Sequence, residues 1–215
     1  MKASTRPPES GRVDRRRART RAALLQAGRG LLARRDLGDL SVDDIVAAAD
    51  VAKGSFYNHF ADKARFARAI GAAVRLQVEA AVQAANAGVE DPPRRLALAL
   101  CVFVRFAIEH RDSAQVLWRL NSGATMADAP VNRGLRREVA RAVRAGPLTG
   151  LDIETAVLLV MGTIIVAMRH VLEERVRTPP ARVAANMAGG MLRALGLPAR
   201  RSRSVAGKAA EEIFG

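Results

Sequence analysis

The sequence predicts an all-α protein, in which a three-helix helix-turn-helix domain precedes a longer helical domain. Apolar residues recur at helical spacing in nearly every segment, and the period-two alternation of half-buried strands is missing. Aromatic residues make up only 4% of the chain, which also disfavours a sheet-rich fold. With 215 residues, of which 49% are hydrophobic, the chain has enough apolar side chains for a buried core.

Four helices are expected in the N-terminal third. The first spans 15–34, where leucines recur every three or four residues. Ser41 is a favourable N-cap for a short second helix, whose acidic first turn suits the helix dipole. A third short helix extends from Val51 to about Phe60, and Asp62 can cap a longer fourth helix. Two short helices joined by a tight turn, behind a longer supporting helix, indicate a helix-turn-helix unit.

Further helices follow a proline pair at 92–93, which suits only a helix start. Gly196 and Pro198 end the last of them, and the arginine-rich segment after Pro198 has little that can pack. The expected helices cover 94–109, 114–120, 130–145, 152–176 and 180–195. The predicted organisation is a flexible basic arm at 1–14, the helix-turn-helix domain at 15–70, the C-terminal domain at 71–197 and a flexible basic tail at 198–215.

The charge balance favours an anionic partner. Thirty-five Lys and Arg against 21 Asp and Glu give a formal charge of +14, which suits nucleic acid or an acidic membrane surface. Much of this charge is arginine, which a GC-rich genome also enriches. The longest nearly unbroken apolar run, from 155 to 168, is shorter than the roughly 20 residues of a membrane crossing. Because the N-terminus also lacks an apolar signal region, we expect a cytoplasmic protein without membrane association.

The residue inventory argues against an enzyme. A single cysteine, Cys101, excludes a disulfide framework and a cysteine-rich zinc site, and only 3 His are present. The sequence contains none of the motifs of α/β-hydrolases, zinc proteases, P-loop proteins or dinucleotide-binding enzymes. His170 near Glu173 and Glu174 is interpreted as a surface ion pair. We therefore expect no catalytic residue, no cofactor and no metal.

The third helix divides its residues between two tasks. Val51, Phe56 and Phe60 can face the core, and Gly54 would permit a close approach of another molecule to the backbone. The outward positions all carry hydrogen-bonding side chains: Lys53, Ser55, Tyr57, Asn58 and His59. This pattern is typical of a DNA-reading helix, although a solvated polar face on a three-helix domain would look the same.

The run TRAALLQAGRGLLARRDLGDLSVDDIVAAADVAKGSFYNHFADKARF resembles the N-terminal DNA-binding domain of tetracycline-repressor (TetR) family regulators. The resemblance covers about residues 20–70, a third of the chain. Its most specific part is the Lys-Gly-Ser-Phe-Tyr-x-His-Phe core, which is followed by Lys63. The resemblance implies a DNA-binding domain here and a C-terminal domain that dimerises and binds a small-molecule effector.

The resemblance also implies roles for individual residues. Those expected to bind DNA phosphates are Thr20 and Ser41 at helix starts, Tyr57 and His59 in the third helix, and Lys63. Those expected to read base edges are Lys53, Ser55 and Asn58. Chemically, Lys53 suits the guanine O6 and N7 acceptors, Asn58 can pair with adenine, and Ser55 is permissive.

Two positions depart from the family pattern. Asp50 replaces the glycine usual in the turn, and since Asp tolerates the left-handed region better than most residues, we expect the turn to survive. Some members read a base with arginine from the second helix. Asp43 stands there and would repel DNA, so we expect no base reading from that helix.

Further hypotheses concern the basic N-terminal arm and the C-terminal domain. The basic arm can follow the DNA backbone or enter the minor groove, or it can be a solubilising tail. Small residues of the last helix, at 184, 185 and 188–190, suit an intersubunit helix contact, although they can also reflect mere tolerance. Candidate effector contacts, each of which can equally be an ordinary core or helix-end residue, are Phe103, Arg105, Phe106, Trp118, Met126, Met168 and His170.

The sequence therefore predicts a homodimeric, sequence-specific transcriptional regulator. The expected mode is repression at a pseudo-palindromic operator in double-stranded DNA, relieved by a small, largely apolar effector. The alternative is a basic helical adaptor or membrane-surface protein that lacks sequence-specific DNA binding.

Overall fold

A computed structural model of the chain describes residues 9–121, 133–144, 146, 150–175 and 177–215. These residues contain helices and no strand, which confirms the all-α fold. The helices are α1 (Glu9–Leu32), α2 (Val42–Ala48), α3 (Lys53–Tyr57), α4 (Lys63–Ala85), α5 (Pro92–Glu109), α6 (Arg111–Asn121), α7 (Arg133–Arg144), α8 (Ile153–Leu172), α9 (Pro180–Ala194) and α10 (Ala199–Phe214), with a 3₁₀ turn at Leu37–Asp39.

The chain forms two compact units. The first comprises the described residues up to Val74 together with Gln115–Leu120, and the second comprises Arg75–Ala114 and the described residues from Asn121 onwards. The division therefore falls inside α4 and α6 rather than in a linker. The first unit contains the whole predicted helix-turn-helix region.

An aromatic cluster forms the core of the first unit. The Phe56 ring of α3 lies 5.3 Å from that of Phe66 in α4, and the Phe60 ring lies 5.0 Å from it, both in edge-to-face arrangements. Phe56 and Phe66 are completely buried. Edge-to-face aromatic pairs add about 0.5–1.5 kcal/mol each beyond their buried area. The cluster thus fixes the short helix α3 against α4, which a helix of five residues needs because it is unstable alone.

The turn between α2 and α3 forms as expected. Asp50 adopts φ +52, in the left-handed region that favours glycine. It stands at the turn position where the sequence departs from the usual glycine. The Asp50 N–H donates to the Ala47 carbonyl (3.2 Å) and the Val51 N–H donates to the Val46 carbonyl (3.1 Å). This pair of hydrogen bonds is the Schellman motif that ends α2. The prediction that aspartate sustains the turn is confirmed.

Helix α5 is the central helix of the second unit, and α7, α8, α9 and α10 pack against it. Its residues from Leu96 to Cys101 are largely buried, and burial raises the pKa of the Cys101 thiol to about 12, so this cysteine is an unreactive part of the core. Helix α8 is apolar and long enough to cross a membrane by length and composition, but 44% of its most apolar window is buried in the protein. Helix α8 is thus partly buried in the second unit and partly exposed.

The expectation of a flexible C-terminal tail is wrong. Residues 199–214 form α10, which packs against α5 and α9. Its arginines concealed a stripe of small apolar residues at helical spacing, so that Ala206, Ala209 and Ile213 are buried while the charged side chains face solvent. The Arg105 guanidinium donates to the Ile213 carbonyl at 2.7 Å and thereby ties the end of α10 to α5.

Helix α10 also changes the interpretation of the small residues in α9. Ala184, Ala188 and Gly189 are buried inside the chain, and a Cβ at position 189 would lie 3.7 Å from that of Ala206. Gly189 serves the α9–α10 contact, and the burial of all three residues within the chain leaves them no exposed surface for an intersubunit helix contact. Gly190 remains exposed.

At the other end of the chain, α1 starts at Glu9 and not at residue 15. The prediction of a flexible arm is therefore wrong for 9–14, which form the first turns of α1 although Gly11, Val13 and Asp14 have low helix propensity. Residues 1–8 of the predicted arm lie outside the described residues.

Candidate nucleic-acid interface

Helix α3 presents polar side chains on the side opposite its aromatic anchor. Lys53 and Asn58 are exposed, Tyr57 is 55% exposed, and Ser55 and His59 are half-buried. The Tyr57 ring makes an edge-to-face contact with Phe56 at 5.4 Å, which supports it from the core side. All five residues singled out in the sequence are therefore at least partly accessible on the surface of the first unit.

Helix α3 is shorter than predicted. It ends at Tyr57, and Asn58 is its C-cap, with the Asn58 N–H donating to the Gly54 carbonyl at 3.1 Å. The helix ends before the expected Phe60: the N–H groups of His59 and Phe60 both donate to the Phe56 carbonyl (3.0 and 2.9 Å), so 58–60 form a hydrogen-bonded turn that buries the Phe60 ring. Asn58 therefore stands at the end of the helix and not within it. Open space surrounds Gly54, which leaves the backbone accessible there.

Lys53 is paired with Asp43 of α2. The Lys53 Nζ lies 2.9 Å from Oδ1 and 3.0 Å from Oδ2 of the Asp43 carboxylate, and this hydrogen bond raises the pKa of Lys53. Both side chains are exposed, so the pair contributes little to stability. Its consequence is electrostatic: the charge on Asp43, which by itself would repel DNA, is balanced by Lys53. Sequence reasoning missed the pair because the two positions are ten residues apart on different helices.

Ser41 caps α2 as predicted. Its Oγ accepts from the Asp44 N–H at 3.0 Å, while the Asp44 carboxylate accepts from the Ser41 N–H at 2.8 Å. These hydrogen bonds lower the pKa of Asp44. The Ser41 hydroxyl is therefore already used in a capping box, and any phosphate at this helix end would meet backbone N–H groups of the first turn.

Thr20 is not at a helix N-terminus. Because α1 starts at Glu9, Thr20 lies well inside the helix, and its hydroxyl donates to the Arg16 carbonyl at 3.1 Å. The position expected for this residue was wrong. The surface beside it is instead formed by the arginines of the preceding turns.

Lys63, the first residue of α4, has a structural task in addition to its predicted role. Its Nζ donates to the carbonyl oxygens of Leu37 (3.3 Å) and Leu40, which belong to the 3₁₀ turn and the residue after it. The ammonium group therefore holds the connection between α1 and α2 in place. A phosphate would have to share this group with two backbone acceptors.

We expect Lys63→Met to lower both stability and DNA affinity. Hydrogen bonds that involve a charged group contribute about 1.5–3 kcal/mol, and partial exposure reduces this to roughly 1–2 kcal/mol for the first unit. Urea unfolding measures the loss, and the exposed Lys208→Met provides a charge-matched control in α10. An unchanged unfolding midpoint would show that Lys63 serves the phosphate alone.

The candidate effector residues that the structure describes have different surroundings. Phe106 is buried and its ring lies 4.9 Å from that of His110, Met168 is buried, and Phe103 is half-buried. Arg105 is partly exposed, and its guanidinium donates to the Ile213 carbonyl and pairs with Glu109 at 3.8 Å. Trp118 belongs to the first unit, and Met126 lies outside the described residues.

His170 lies in a groove between α8 and α9. This groove has a volume of about 350 Å³ and is lined mainly by apolar atoms, including those of Val166, Val183 and Met187. Val166 is 58% exposed and Leu158, two turns earlier on α8, is 39% exposed. The groove and the exposed apolar side chains together are called the uncovered α8–α9 face of the second unit.

Both units are similar to known protein families. Residues 24–70 match the bacterial regulatory proteins of the tetR family, and residues 91–208 match the tetracyclin repressor-like C-terminal domain. The structure of RolR in complex with resorcinol is 25% identical, with a TM-score of 0.61, and the match covers 93% of this chain and 98% of RolR. Comparison with curated protein sequences gives no match.

Two further solved structures share the fold. A tetR-family regulatory protein from Rhodococcus RHA1 is 26% identical with a TM-score of 0.65, covering 85% of this chain and 97% of its own. An ArpA-like gamma-butyrolactone receptor is 19% identical with a TM-score of 0.67, covering 91% and 99%.

A helix-turn-helix unit with a polar reading face, followed by a helical second unit, defines a DNA-binding, ligand-responsive transcription regulator. The C-terminal family match covers more than half of the sequence, and the chain belongs to the tetracycline-repressor family.

Proposed function

We propose that the protein is a homodimeric repressor that binds a pseudo-palindromic operator through α3 and is released by a small, largely apolar effector. The observation that carries the DNA-binding half of this proposal is the exposed polar side of α3, backed by a buried aromatic cluster. Such a helix fits the major groove, where its side chains meet base edges and phosphates. Lys53, Ser55 and Asn58 are the proposed base readers, and Tyr57, His59 and Lys63 the proposed phosphate contacts.

The uncovered α8–α9 face supports the homodimer. Exposed Leu158 and Val166, with the half-buried Met187 and the exposed Gly190, leave apolar surface in water on helices that are otherwise packed. Contiguous exposed apolar surface is typical of an interface. A symmetric dimer presents two copies of α3, and each copy reads one half-site about 34–36 Å from the other.

The effector is proposed to bind within the second unit, whose central helices are rich in apolar residues. RolR was determined with resorcinol, and the ArpA-like receptor is named for a gamma-butyrolactone. Both compounds are small and carry few polar groups, which suits a mostly apolar lining. Binding would favour a conformation in which the separation of the two α3 helices no longer matches successive major grooves. Such a regulator acts in the cytoplasm and needs no enzymatic activity.

The test is protection of a discrete DNA site combined with disruption of the dimer. We expect wild-type protein to protect an inverted repeat, and Val166→Glu to give a monomer that loses this protection, because each half-site alone binds weakly. Sedimentation measures the oligomeric state. Leu76→Glu is the matched control, because Leu76 is 66% exposed on α4, away from the α8–α9 face. Binding to anionic vesicles without site protection would favour the membrane-surface alternative.

A further inference from the structure

A groove in the first unit lies between the N-terminal half of α1 and His59, which is two residues beyond the end of α3. It has a volume of about 310 Å³ and is lined by Asp14, Arg17, Ala18, Arg21 and His59. The four α1 residues stand at positions i, i+3, i+4 and i+7, so they share one face of the helix. Two guanidinium groups and an imidazole therefore meet on one side of the DNA-binding unit.

The core holds two of these groups in place. The Arg21 guanidinium lies over the Phe60 ring, 5.5 Å from its centroid, and Phe60 belongs to the buried aromatic cluster. The His59 ring lies 6.3 Å from that of Phe60 and is half-buried. Neither side chain is a freely moving surface group, so an anion that binds here meets donors that are already positioned.

The electrostatics of the groove favour an anion. Burial lowers the pKa of His59, and the charges of Arg17 and Arg21 lower it further. Asp14 is the one carboxylate in the lining, against two arginines. Among the side chains that the structure describes, neither Arg17 nor Arg21 forms an ion pair. Two neighbouring cations without a partner leave a surplus of positive charge at this place.

We propose that Arg17 and Arg21 of α1, together with His59, bind one backbone phosphate of double-stranded DNA. Guanidinium groups bind phosphate oxygens through paired charge-assisted hydrogen bonds, and the imidazole supplies a third donor. Both arginines lie on α1 before residue 24, where the family match begins, so the match itself assigns them no role. The inference rests on the proposed function, because it places the phosphate next to a DNA-bound α3.

The main experiment measures DNA affinity against salt for the double variant R17A/R21A, with R19A as control. Arg19 is exposed and projects from a different side of α1. Its substitution by Ala removes the same kind of charge. We expect the double variant to bind both operator and random duplex roughly ten- to a hundredfold more weakly. The salt-dependence slope should fall by about 0.9 for the phosphate lost in each subunit, or by about 1.8 for a dimer that occupies both half-sites. R19A should retain the wild-type slope. Equal slopes for wild type, R19A and R17A/R21A would overturn the proposal.

A second readout follows His59 directly by NMR. The titration shift of His59 should move to higher pH when DNA binds, because a phosphate balances the two arginines, and it should stay unmoved in R17A/R21A. Inorganic phosphate is the comparison probe. A His59 response to DNA at concentrations where inorganic phosphate gives none supports a DNA site. A response to inorganic phosphate alone would overturn it.

These results separate the inference from the function on which it rests. If wild-type protein protects an operator but R17A/R21A keeps the full salt slope, the phosphate site is wrong and the regulator stands. If no discrete site is protected but R17A/R21A still weakens binding to random duplex with the expected slope change, the site stands and the sequence-specific function is wrong.

Discussion

Gly28→Ala is expected to destabilise the first unit, whereas Gly30→Ala, two residues along the same helix, is expected to stabilise it slightly. A Cβ at position 28 would lie 2.6 Å from Phe66 Cε1 and 2.7 Å from Ile70 Cδ1, whereas a Cβ at position 30 would meet nothing within 4 Å. Phe66 and Ile70 are buried, so neither can swing into solvent. Overpacking of this kind costs about 1–3 kcal/mol, against a gain of up to about 1 kcal/mol in helix propensity.

Trp118 makes this prediction easy to measure. It is the one tryptophan of the chain and belongs to the first unit, so its fluorescence during urea unfolding reports on that unit. The midpoint should fall for Gly28→Ala and rise or stay equal for Gly30→Ala. Equal midpoints for the two variants would mean that α1 and α4 can separate at this point without cost, contrary to the close packing at Gly28.

Local sequence signals predicted much of the fold. Ser41 and Asp62 were identified as helix caps from their residue type, and Asp91 and Asp152 also cap helices, with side chains that accept from the first turn. Asp50 was expected in a left-handed turn, and it is there. These predictions succeeded because capping and turn formation depend on a few neighbouring residues, which the sequence displays directly.

Predictions failed where charge concealed packing. The polar segment at 1–14, with its prolines and Gly11, and the arginine-rich segment after residue 198 suggested disorder, yet the chain is helical from Glu9 and again from Ala199. In α10, small residues between the charges bury one face against α5 and α9, a contact that depends on tertiary structure. The pairing of Lys53 with Asp43 and the hydrogen bonds from Lys63 likewise join residues distant in sequence. The roles of the DNA-binding residues stay predictions.

Lys53→Ala is expected to weaken operator binding strongly and random-DNA binding much less. Lys53 is the first residue of α3, and the N-terminal residues of a recognition helix contact base edges. Loss of a specific base contact costs roughly ten- to a hundredfold in each half-site, and a dimer loses it twice. Asn58→Ala should show the same selectivity, although its position at the C-cap makes a phosphate contact the competing role. Selection of preferred sites for wild type and both variants measures the effect. Identical preferred sequences would leave Ser55 or DNA shape as the source of specificity.

Asp43 decides how selective Lys53 is, and Asp43→Asn tests this. The carboxylate holds the Lys53 ammonium group within 3.0 Å, so Lys53 can contact DNA only where a base edge competes with Asp43. An ammonium group released from Asp43 can instead bind phosphates, which carry a negative charge and are present in every sequence. Asp43→Asn should therefore tighten binding to random duplex several-fold and narrow the difference in affinity between operator and random DNA.

Asp39→Asn, the same change at another exposed position of the first unit, controls for net charge. In the background of Lys53→Ala, Asp43→Asn should affect random binding no more than Asp39→Asn does, because the coupling between the two side chains is then gone. An equal effect of Asp43→Asn with and without Lys53 would show that Asp43 acts on DNA by repulsion alone.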